Sequence, residues 1–278
     1  MTPPTGPLTA VVTGASTGIG EHTARLLARD GHRVALVARS GQRLGRLAAE
    51  LSGEGASVVS LPADVSDATD RVSIVDTVTE RWGGVDVLVN NAGFGRYAPA
   101  EGTEPGDLEA MFSVNVVAAI ELCRLVVPGM RLRGFGRVVN VGSMGGHIAA
   151  PPLVVYAATK HALRGYSEGL RRELRGQRDV TVTLVSPGPA RTEFGRTASG
   201  MPVRPSRVPG GVGPERVAAA IRKAVRRPRR EIFVPAYYRV AARLTGLVPV
   251  LGDRGAAARG RIWERRLAEV HDEPPSSP

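Results

Sequence analysis

The fold of this chain is decided by residues 8–20, LTAVVTGASTGIG. Residues 8–13 are typical of a short buried strand, and the glycine-rich segment 14–20 leads into a helix that is predicted to end near Asp30. A second apolar strand is predicted at 33–38. Glycines let a backbone approach a pyrophosphate closely, and a helix N-terminus offers free N–H groups to it. The segment therefore indicates a nucleotide-binding turn, with a glycine-rich turn that holds no ligand as the alternative.

The rest of the chain continues this alternation of strands and helices. Further strands are predicted at 58–61, 85–90, 136–142, 180–186 and 231–234. Helices are predicted at 40–52, 67–82, 107–133, 154–175 and 215–225. Strands that alternate with helices form a parallel sheet covered on both faces. We therefore expect an α/β fold, a single doubly wound parallel sheet of the Rossmann type with helices on both faces.

A second informative feature is the pair Tyr156 and Lys160 in the segment YAATK, with Ser143 upstream. Residues at this spacing lie about one helical turn apart, so both side chains point the same way. The electrostatic attraction between an ammonium and a phenolate about 4 Å apart is roughly 4 kcal/mol at an effective dielectric constant of about 20. That attraction equals roughly three pKa units, so we expect Lys160 to lower the pKa of Tyr156 and to make it a proton donor and acceptor near neutral pH. A surface Tyr and Lys without a function is the alternative.

Several motifs, in order, resemble those of the short-chain dehydrogenases/reductases. Segment 13–20, TGASTGIG, resembles their cofactor turn, and Asn90-Asn91-Ala92-Gly93 resembles the motif after their fourth strand. The order and approximate spacing of the family's catalytic tetrad are matched by Asn115, Ser143, Tyr156 and Lys160. The segment that holds the nicotinamide is matched by Pro187, Gly188 and Thr192. The resemblance covers residues 8–192, and more loosely 214–235.

The resemblance implies an oxidoreductase that transfers a hydride between a nicotinamide and a carbonyl or secondary alcohol. It implies that Tyr156 is the general acid or base, that Lys160 also holds the nicotinamide ribose, and that Ser143 donates a hydrogen bond to the substrate oxygen. Asn115 is expected to support a water-linked proton path behind Lys160. The alternative for Ser143 is an ordinary cap at the end of a strand. The alternative for Asn115 is an ordinary buried polar group on a helix. The residues expected to bind the cofactor are Gly14, Ser16, Thr17, Gly18, Ile19, Gly20, Arg39, Ser40, Asp64, Val65, Asn91, Ala92, Gly93, Tyr156, Lys160, Pro187, Gly188 and Thr192.

The residues after the second strand favour NADP(H) over NAD(H). An acidic residue there would accept hydrogen bonds from a free ribose 2′-OH and repel a 2′-phosphate. This chain has Arg39 and Ser40 instead, and an arginine can clamp a phosphate with its planar guanidinium. The alternative is that Arg39 faces solvent. By the resemblance, Asp64 and Val65 meet the adenine, and they do not distinguish the two cofactors.

Composition limits the partners and the compartment. The net charge of +11 comes almost entirely from scattered arginines, so we expect no nucleic-acid partner. A basic cluster, expected to be a solvated helix face or otherwise a contact for anionic lipid, consists of Arg222, Lys223, Arg226, Arg227, Arg229 and Arg230. The single Cys123 excludes an internal disulfide and is expected to be inert helix packing, and the absence of a ligand cluster predicts no metal. Without a signal peptide or a run of about 18 apolar residues, the chain is expected to be cytoplasmic and to lack a transmembrane segment.

The predicted organisation is a flexible lead at 1–7, a catalytic domain at 8–235, a helical extension at 236–270 and a disordered tail at 271–278. A mobile substrate lid is expected at 193–213. The extension alternates apolar residues with arginine, and we expect it to pack on the domain or on a second subunit of a homo-oligomer, a dimer or a tetramer. Peripheral contact with a membrane is the alternative.

The expected substrate is a small hydrophobic ketone or secondary alcohol. One wall of the predicted pocket, residues 144–155, is largely apolar, and residues 189–191 and the lid complete it. His147 in that wall is either a group that orients the substrate or an ordinary loop histidine. Two functions of other classes stay open: a non-catalytic nucleotide sensor on the same fold, and a reductase of lipid-like substrates at a membrane surface.

Overall fold

A parallel sheet of seven strands forms the centre of the fold, in the order β3-β2-β1-β4-β5-β6-β7. The computed structural model describes residues 6–177, 179–190, 211–248, 250, 253, 255 and 257. The strands are β1 (Thr9–Thr13), β2 (Arg33–Ala38), β3 (Val58–Pro62), β4 (Val87–Asn90), β5 (Phe135–Val141), β6 (Asp179–Pro187) and β7 (Glu231–Val234). The strand order reverses between β1 and β4, and ligands of such sheets bind beyond the carboxyl ends of the strands at that point.

Helices cover both faces of this sheet. They are α1 (Gly18–Arg29), α2 (Gly41–Gly53), α3 (Ala68–Trp82), α4 (Pro105–Phe112), α5 (Ala118–Arg133), α6 (Val154–Glu173), α7 (Pro214–Arg226) and α8 (Tyr238–Leu247). On one face α1, α2 and α7 bury residues such as Leu27 and Ile221. On the other face α3, α5 and α6 bury residues such as Leu122 and Leu170. The predicted doubly wound α/β fold is confirmed, with strand and helix boundaries mostly within two residues of those expected.

The helix predicted at 107–133 is interrupted around Asn115. It begins at Pro105, where a proline suits the first turn because its nitrogen has no hydrogen to leave unpaired. Residues Ser113–Val117 then form a π-helical turn before α5 begins. Such turns are frequent at functional sites, because the extra residue re-aims a side chain. The turn is too short to alter the apolar pattern of a long helix, so the sequence did not reveal it.

The segment Pro105–Arg133 is long and apolar enough to span a membrane by length and composition alone. Half of its most apolar window is buried inside the domain, and Leu122, Cys123 and Val126 lie in the hydrophobic core. The segment therefore serves as a core helix of the sheet. Burial raises the pKa of the Cys123 thiol to about 12, which agrees with the prediction of inert packing.

Two members of the basic cluster are paired instead of facing solvent alone. Arg222 and Arg226 of α7 both bind the Asp30 carboxylate at the end of α1, and the Arg226–Asp30 distance is 3.0 Å. The Asp30 side chain is only 6% exposed. Although burial opposes ionisation, the hydrogen bond from Arg222 holds the pKa of Asp30 below its usual range. The Arg222 and Arg226 side chains stay 36% and 57% exposed, so they lie on a solvated helix face as predicted, and they also hold α7 against α1.

Several predicted segments lie outside the described residues. They are most of the lead (1–5), Thr192, most of the lid (193–210) and the tail (271–278). The end of the predicted lid is described, and there the Val212 N–H donates to the carbonyl oxygen of Pro189 at 2.8 Å. The extension is described mainly through α8, so the predicted domain limits stay predictions.

Candidate active site

The turn after β1 is held in place by hydrogen bonds from the end of β4. The N–H groups of Asn91 and Ala92 donate to Thr13 Oγ1 at 2.9 and 3.0 Å, and Thr13 Oγ1 donates to the carbonyl oxygen of Val89 at 3.2 Å. The Asn91 amide donates to the carbonyl oxygens of Thr13 and Gly14 at 2.9 and 3.3 Å. Asn91 and Ala92 therefore brace the glycine turn from the neighbouring strand.

The glycines of this turn are required by the space around them. Gly14 has a φ of +66°, and a Cβ atom there would lie 2.8 Å from Asn91 Nδ2. A Cβ atom at Gly20 would lie 2.1 Å from the carbonyl oxygen of Gly14. Thr17 is the N-cap of α1 but makes no side-chain hydrogen bond to the helix, so the cap leaves the first N–H groups available. A tight glycine turn that opens onto an uncapped helix fits the pyrophosphate of a nicotinamide dinucleotide.

The predicted ribose-binding residues lie at the end of β2. Arg39 and Ser40 directly follow that strand, and both are exposed. Ser40 is the N-cap of α2, and its hydroxyl makes no capping hydrogen bond. A groove of about 350 Å³ lies beside the glycine turn, lined by Ser16, Thr17, Glu21, Arg25, Arg43, Arg46, Leu47 and Glu50. The Arg25 guanidinium in this groove is paired with the carboxylates of Glu21 and Glu50, while Arg43 and Arg46 add further guanidinium groups near the start of α1.

Asp64 and Val65 follow β3 on the same side of the sheet. Asp64 Oδ1 accepts hydrogen bonds from the N–H and the hydroxyl of Ser66 at 2.9 and 2.7 Å. Partial burial opposes ionisation, but the bonds from Ser66 and the charge of Arg39 hold the pKa of the Asp64 carboxyl below its usual range. Val65 is buried, and its carbonyl oxygen accepts a bond from Arg71 at 2.7 Å. The carboxylate of Asp64 thus lies within electrostatic reach of Arg39.

The end of β5 and the first turns of α6 bring Ser143, Tyr156 and Lys160 together. The Ser143 and Tyr156 side chains are hydrogen-bonded, and Ser143 Oγ also accepts from the Gly145 N–H at 3.0 Å. Tyr156 and Lys160 are 9% and 5% exposed. Lys160 Nζ donates to the carbonyl oxygen of Val141 at 3.1 Å and lies 5.7 Å from the centre of the Tyr156 ring. The hydroxyls of Ser143 and Tyr156 and the ammonium of Lys160 therefore lie together in a site where Tyr156 and Lys160 are buried and Ser143 is partly buried.

Burial is the largest influence on the pKa values of Tyr156 and Lys160. It raises the pKa of Tyr156 to about 12 and lowers the pKa of Lys160 to about 8, because a buried phenolate and a buried ammonium both lose hydration. The hydrogen bond with Ser143 favours the phenolate but does not outweigh burial. The expectation that Lys160 brings the pKa of Tyr156 below its usual value is therefore wrong here. The Lys160 ammonium is directed at the carbonyl oxygen of Val141 instead.

Asn115 joins the loop after β4 to α6. Its Oδ1 accepts from the Phe94 N–H at 3.0 Å, and its Nδ2 donates to the Phe94 carbonyl oxygen at 2.8 Å and to Thr159 Oγ1 at 3.1 Å. A Cβ atom at Gly93 would lie 2.8 Å from Asn115 Oδ1 and 3.5 Å from Lys160 Nζ. Gly93 therefore lies between the Asn115 amide and the Lys160 ammonium, and the proton path behind Lys160 stays a prediction.

Pro187 and Gly188 end β6 beside β7 and α8. The Gly188 N–H donates to the carbonyl oxygen of Val234 at 2.8 Å. A Cβ atom at Gly188 would lie 2.3 Å from the ring of Tyr238, so glycine lets α8 pack directly against this segment. Thr192, which is predicted to bind the nicotinamide together with Pro187 and Gly188, lies outside the described residues.

Sequence reasoning missed several residues at this edge of the sheet. Burial raises the pKa of Tyr97, and Tyr97 lies near enough to Tyr156 to favour its neutral form. The Ala98 N–H donates to the carbonyl oxygen of Pro152 at 3.1 Å, which brings the Tyr97 loop against the predicted substrate wall. Loops carry no apolar period, so nothing in the pattern pointed to this contact. Thr159 could have been suspected, because it stands between Tyr156 and Lys160 on α6.

Comparison with known proteins decides the family. The sequence model of the short chain dehydrogenase family matches residues 8–201. This chain belongs to that family. A ketoacyl reductase named HetN, from a Nostoc species, is 32% identical over 261 residues, which cover 92% of this chain and 88% of the relative. The chain is therefore an oxidoreductase of the short-chain dehydrogenase/reductase type.

Solved structures agree with this assignment. A short-chain dehydrogenase/reductase from Burkholderia phymatum in complex with NAD has a TM-score of 0.81 at 25% identity and covers 88% of this chain and 95% of its own. A short-chain dehydrogenase from Sphingobium yanoikuyae in complex with NADPH has a TM-score of 0.77 at 29% identity and covers 98% of both chains. Similar proteins thus bind either nicotinamide cofactor. No group of three or more His, Cys, Asp or Glu residues lies at ligand distance within the described part of this chain, and the absence of a metal stays a prediction.

Proposed function

We propose that this chain is an NADP(H)-dependent oxidoreductase that transfers a hydride between nicotinamide and the carbonyl or secondary alcohol of a hydrophobic substrate. The observation that carries the proposal is the hydrogen bond between the Ser143 and Tyr156 hydroxyls, with the Lys160 ammonium buried beside them. This group lies at the carboxyl end of β5, where ligands of such sheets bind. The bound cofactor would supply the hydride in reduction and accept it in oxidation.

The side chains support acid catalysis of carbonyl reduction. Tyr156 gives its proton to the carbonyl oxygen as the hydride reaches the carbonyl carbon, and the alcohol forms. The Ser143 hydroxyl donates a hydrogen bond to the same oxygen while its negative charge develops. Lys160, whose pKa of about 8 lies near neutral pH, then returns a proton to the Tyr156 phenolate. Alcohol oxidation runs through the same groups in reverse.

The high pKa of Tyr156 favours reduction in this scheme. A phenol with a pKa of about 12 keeps its proton at neutral pH and is therefore present in the form that acts as an acid. Alcohol oxidation needs the phenolate, which burial disfavours.

The preference for NADP(H) rests on the end of β2. Arg39 and Ser40 stand there in place of a carboxylate, both are exposed, and the Ser40 hydroxyl makes no capping bond. Arg43 and Arg46 line the neighbouring groove and add positive charge. A 2′-phosphate is favoured by such a cluster, whereas a free 2′-OH gains nothing from it.

An apolar wall beside Tyr156 supports a hydrophobic substrate. Ile148 and Leu153 are partly buried, Ala149 is exposed, and Val154 is 41% exposed. Apolar side chains that stay in contact with solvent beside a catalytic cleft are available to an apolar ligand. We therefore propose ketones with aliphatic or aromatic substituents as the class to test first.

The proposal is tested by following nicotinamide absorbance with a broad panel of ketones and aldehydes. The expected result is faster consumption of NADPH than of NADH, with hydrophobic ketones ahead of small polar ones. Ser143→Ala is the matched variant and should slow turnover by roughly 10²-fold without loss of NADPH binding. If NADPH binds by calorimetry but no carbonyl in the panel is reduced, the nucleotide-sensor alternative is favoured instead.

A second candidate, a reductase of lipid-like substrates at a membrane surface, is favoured by one observation. Along α8 the apolar side chains of Val240, Leu244 and Leu247 are 56%, 52% and 78% exposed, next to Arg239 and Arg243. Apolar rows flanked by arginine suit either anionic lipid or a second subunit. We propose the second subunit, in a cytoplasmic homo-oligomer. Flotation with anionic and with neutral liposomes separates the two, because only the lipid candidate predicts binding that depends on anionic lipid.

A further inference from the structure

A partly buried carboxylate, that of Glu231, joins the turn that carries Ser143 to the last two strands of the sheet. Glu231 Oε1 lies 2.7 Å from His147 Nε2 and accepts a hydrogen bond from Ser186 Oγ at 2.6 Å. The His147 side chain is 5% exposed, and the ring packs against Phe233 at 5.0 Å between ring centres. His147 is thus packed inside the protein, with Nε2 bound to Glu231, and the alternative that it orients the substrate is not supported.

The His147 ring lies at the end of a short rigid turn that begins at Ser143. The N–H groups of Gly146 and His147 donate to the carbonyl oxygens of Ser143 and Met144 at 2.9 and 3.0 Å. The Gly145 N–H donates to Ser143 Oγ at 3.0 Å. A displacement of His147 would therefore be transmitted through one turn of backbone to the Ser143 hydroxyl.

The other side of this turn is fixed by α6. A Cβ atom at Gly146 would lie 2.7 Å from the carbonyl oxygen of Lys160, so the turn touches the backbone of that helix. Arg164 of α6 donates to the Gly146 carbonyl oxygen at 3.2 Å. The turn is thus held between α6 on one side and Glu231 on the other.

The charges around Glu231 keep it ionised. Burial opposes its ionisation, but the hydrogen bonds from His147 and Ser186 and the charge of Arg164 hold the pKa of the Glu231 carboxyl below its usual range. Arg171 of α6 also lies within electrostatic reach of this carboxylate. An ionised acceptor strengthens the hydrogen bond between Glu231 and His147.

We propose that Glu231, acting through His147, is a positioning residue for the Ser143 hydroxyl. The inference rests on the proposed function, because it assigns the pair a task in the same reaction. Glu231 also binds Ser186, directly before Pro187 and Gly188, so one carboxylate fixes both the serine turn and the strand end predicted to meet the nicotinamide. Small errors in the position of a transition-state donor cost up to about 10²-fold in rate.

The test is a matched pair of variants at His147, measured with NADPH and the best ketone of the panel. Glutamine places an amide nitrogen where His147 Nε2 lies, whereas asparagine is one carbon shorter and cannot reach Glu231. We expect His147→Asn to lower kcat by roughly tenfold to a hundredfold with little change in the KM for NADPH, and His147→Gln to stay within about threefold of the parent chain. Glu231→Gln, which keeps the side-chain size, should lower kcat in the same direction, and it supplies the measurement if His147→Asn does not fold.

Two controls separate positioning from general stability. Asp179→Asn breaks the 2.6 Å ion pair with Arg137 at the opposite end of β6, and it should lower the melting temperature without changing kcat. In a Ser143→Ala background, adding His147→Asn should lower kcat by less than about threefold relative to Ser143→Ala alone. The hydroxyl that His147 is proposed to position is already absent there. Equal kcat values for the parent and His147→Asn would overturn the inference. So would an undiminished fall in kcat when His147→Asn is added to Ser143→Ala. Neither result would contradict the proposed carbonyl reduction. A parent chain that reduces no carbonyl would instead overturn the proposed function and this inference with it.

Discussion

Tyr156 and Lys160 are held close together in a place where neither ion is well hydrated. The two shifts have one cause, and both favour the neutral side chains. The charge of a buried lysine is costly to the folded state as long as the lysine is protonated there. This cost gives the folded protein a pH dependence that can be measured without any substrate.

The first prediction concerns the stability that Lys160 contributes as pH rises. Its pKa is about 8 in the folded protein and 10.5 as the ordinary value, so between these pH values the unfolded chain binds a proton that the folded chain does not. The free energy of unfolding should therefore rise with pH across this window, by up to about 3 kcal/mol from this residue. In Lys160→Met this contribution to the pH dependence of the free energy of unfolding is absent.

Chemical denaturation of the parent and of Lys160→Met at about pH 7.5 and about pH 10 measures this effect as a difference of differences. Other titrating groups are shared by the two proteins and cancel. The stability of the parent should gain on that of the variant as the pH is raised. A difference that stays the same at both pH values would show that burial does not lower the pKa of Lys160.

The second prediction concerns Arg39. Arg39→Asp removes the proposed phosphate clamp and adds a carboxylate that repels the 2′-phosphate and accepts from a free 2′-OH. A charge-assisted phosphate contact is worth about 1.5–3 kcal/mol, so NADPH affinity should fall by roughly one to two decades while NADH affinity holds or improves. Calorimetric titration of both cofactors into both proteins measures this, and a parent chain with equal affinity for the two would contradict it.

Among the structural elements, the turn between β1 and α1 leaves no room for a side chain at Gly20. A methyl group at Gly20 would meet the carbonyl oxygen of Gly14, which is backbone and cannot turn away. We predict that Gly20→Ala distorts the turn, lowers NADPH affinity by at least roughly tenfold and lowers the melting temperature. Gly45→Ala is the matched control, because nothing lies within 4 Å of its Cβ position and alanine favours helix α2 by roughly 0.5–1 kcal/mol. Cofactor binding weakened equally by both substitutions would show that space at Gly20 is not the cause.

The elements of this fold were largely predictable, because periodic patterns determine them. Buried strands such as 33–38 are continuous apolar runs between turns, and the glycine spacing at 14–20 correctly predicted a tight turn between β1 and α1. The π turn at Asn115 and the contact of His147 with Glu231, 84 positions away, were not predictable. The first depends on local hydrogen-bond geometry, and the second on how β7 docks beside β6. The raised pKa of Tyr156 was not predicted either, because spacing along a helix does not reveal how deeply a side chain is buried.

For the molecule as a whole, the feature that calls for a partner is the exposed apolar row on α8. Tyr238 packs on Gly188, so the helix is attached to the domain, yet Val240, Leu244 and Leu247 face outward. We predict that deleting residues 236–278 lowers the melting temperature or breaks an oligomer, because it uncovers Gly188 and removes the apolar row. Light scattering, thermal unfolding and liposome flotation of both chains measure this. Unchanged mass and melting temperature together with lost liposome binding would mean that the row contacts membrane instead.

The reaction itself depends most directly on the Tyr156 hydroxyl. Tyr156→Phe keeps the shape of a ring that is only 9% exposed and removes the proton donor. With NADPH and a ketone that the parent chain reduces, we predict unchanged NADPH affinity and a kcat lower by about 10²–10⁴-fold, the usual contribution of a general acid. A kcat within about threefold of the parent would contradict the account, because carbonyl reduction would then proceed without the acid that the account assigns to it.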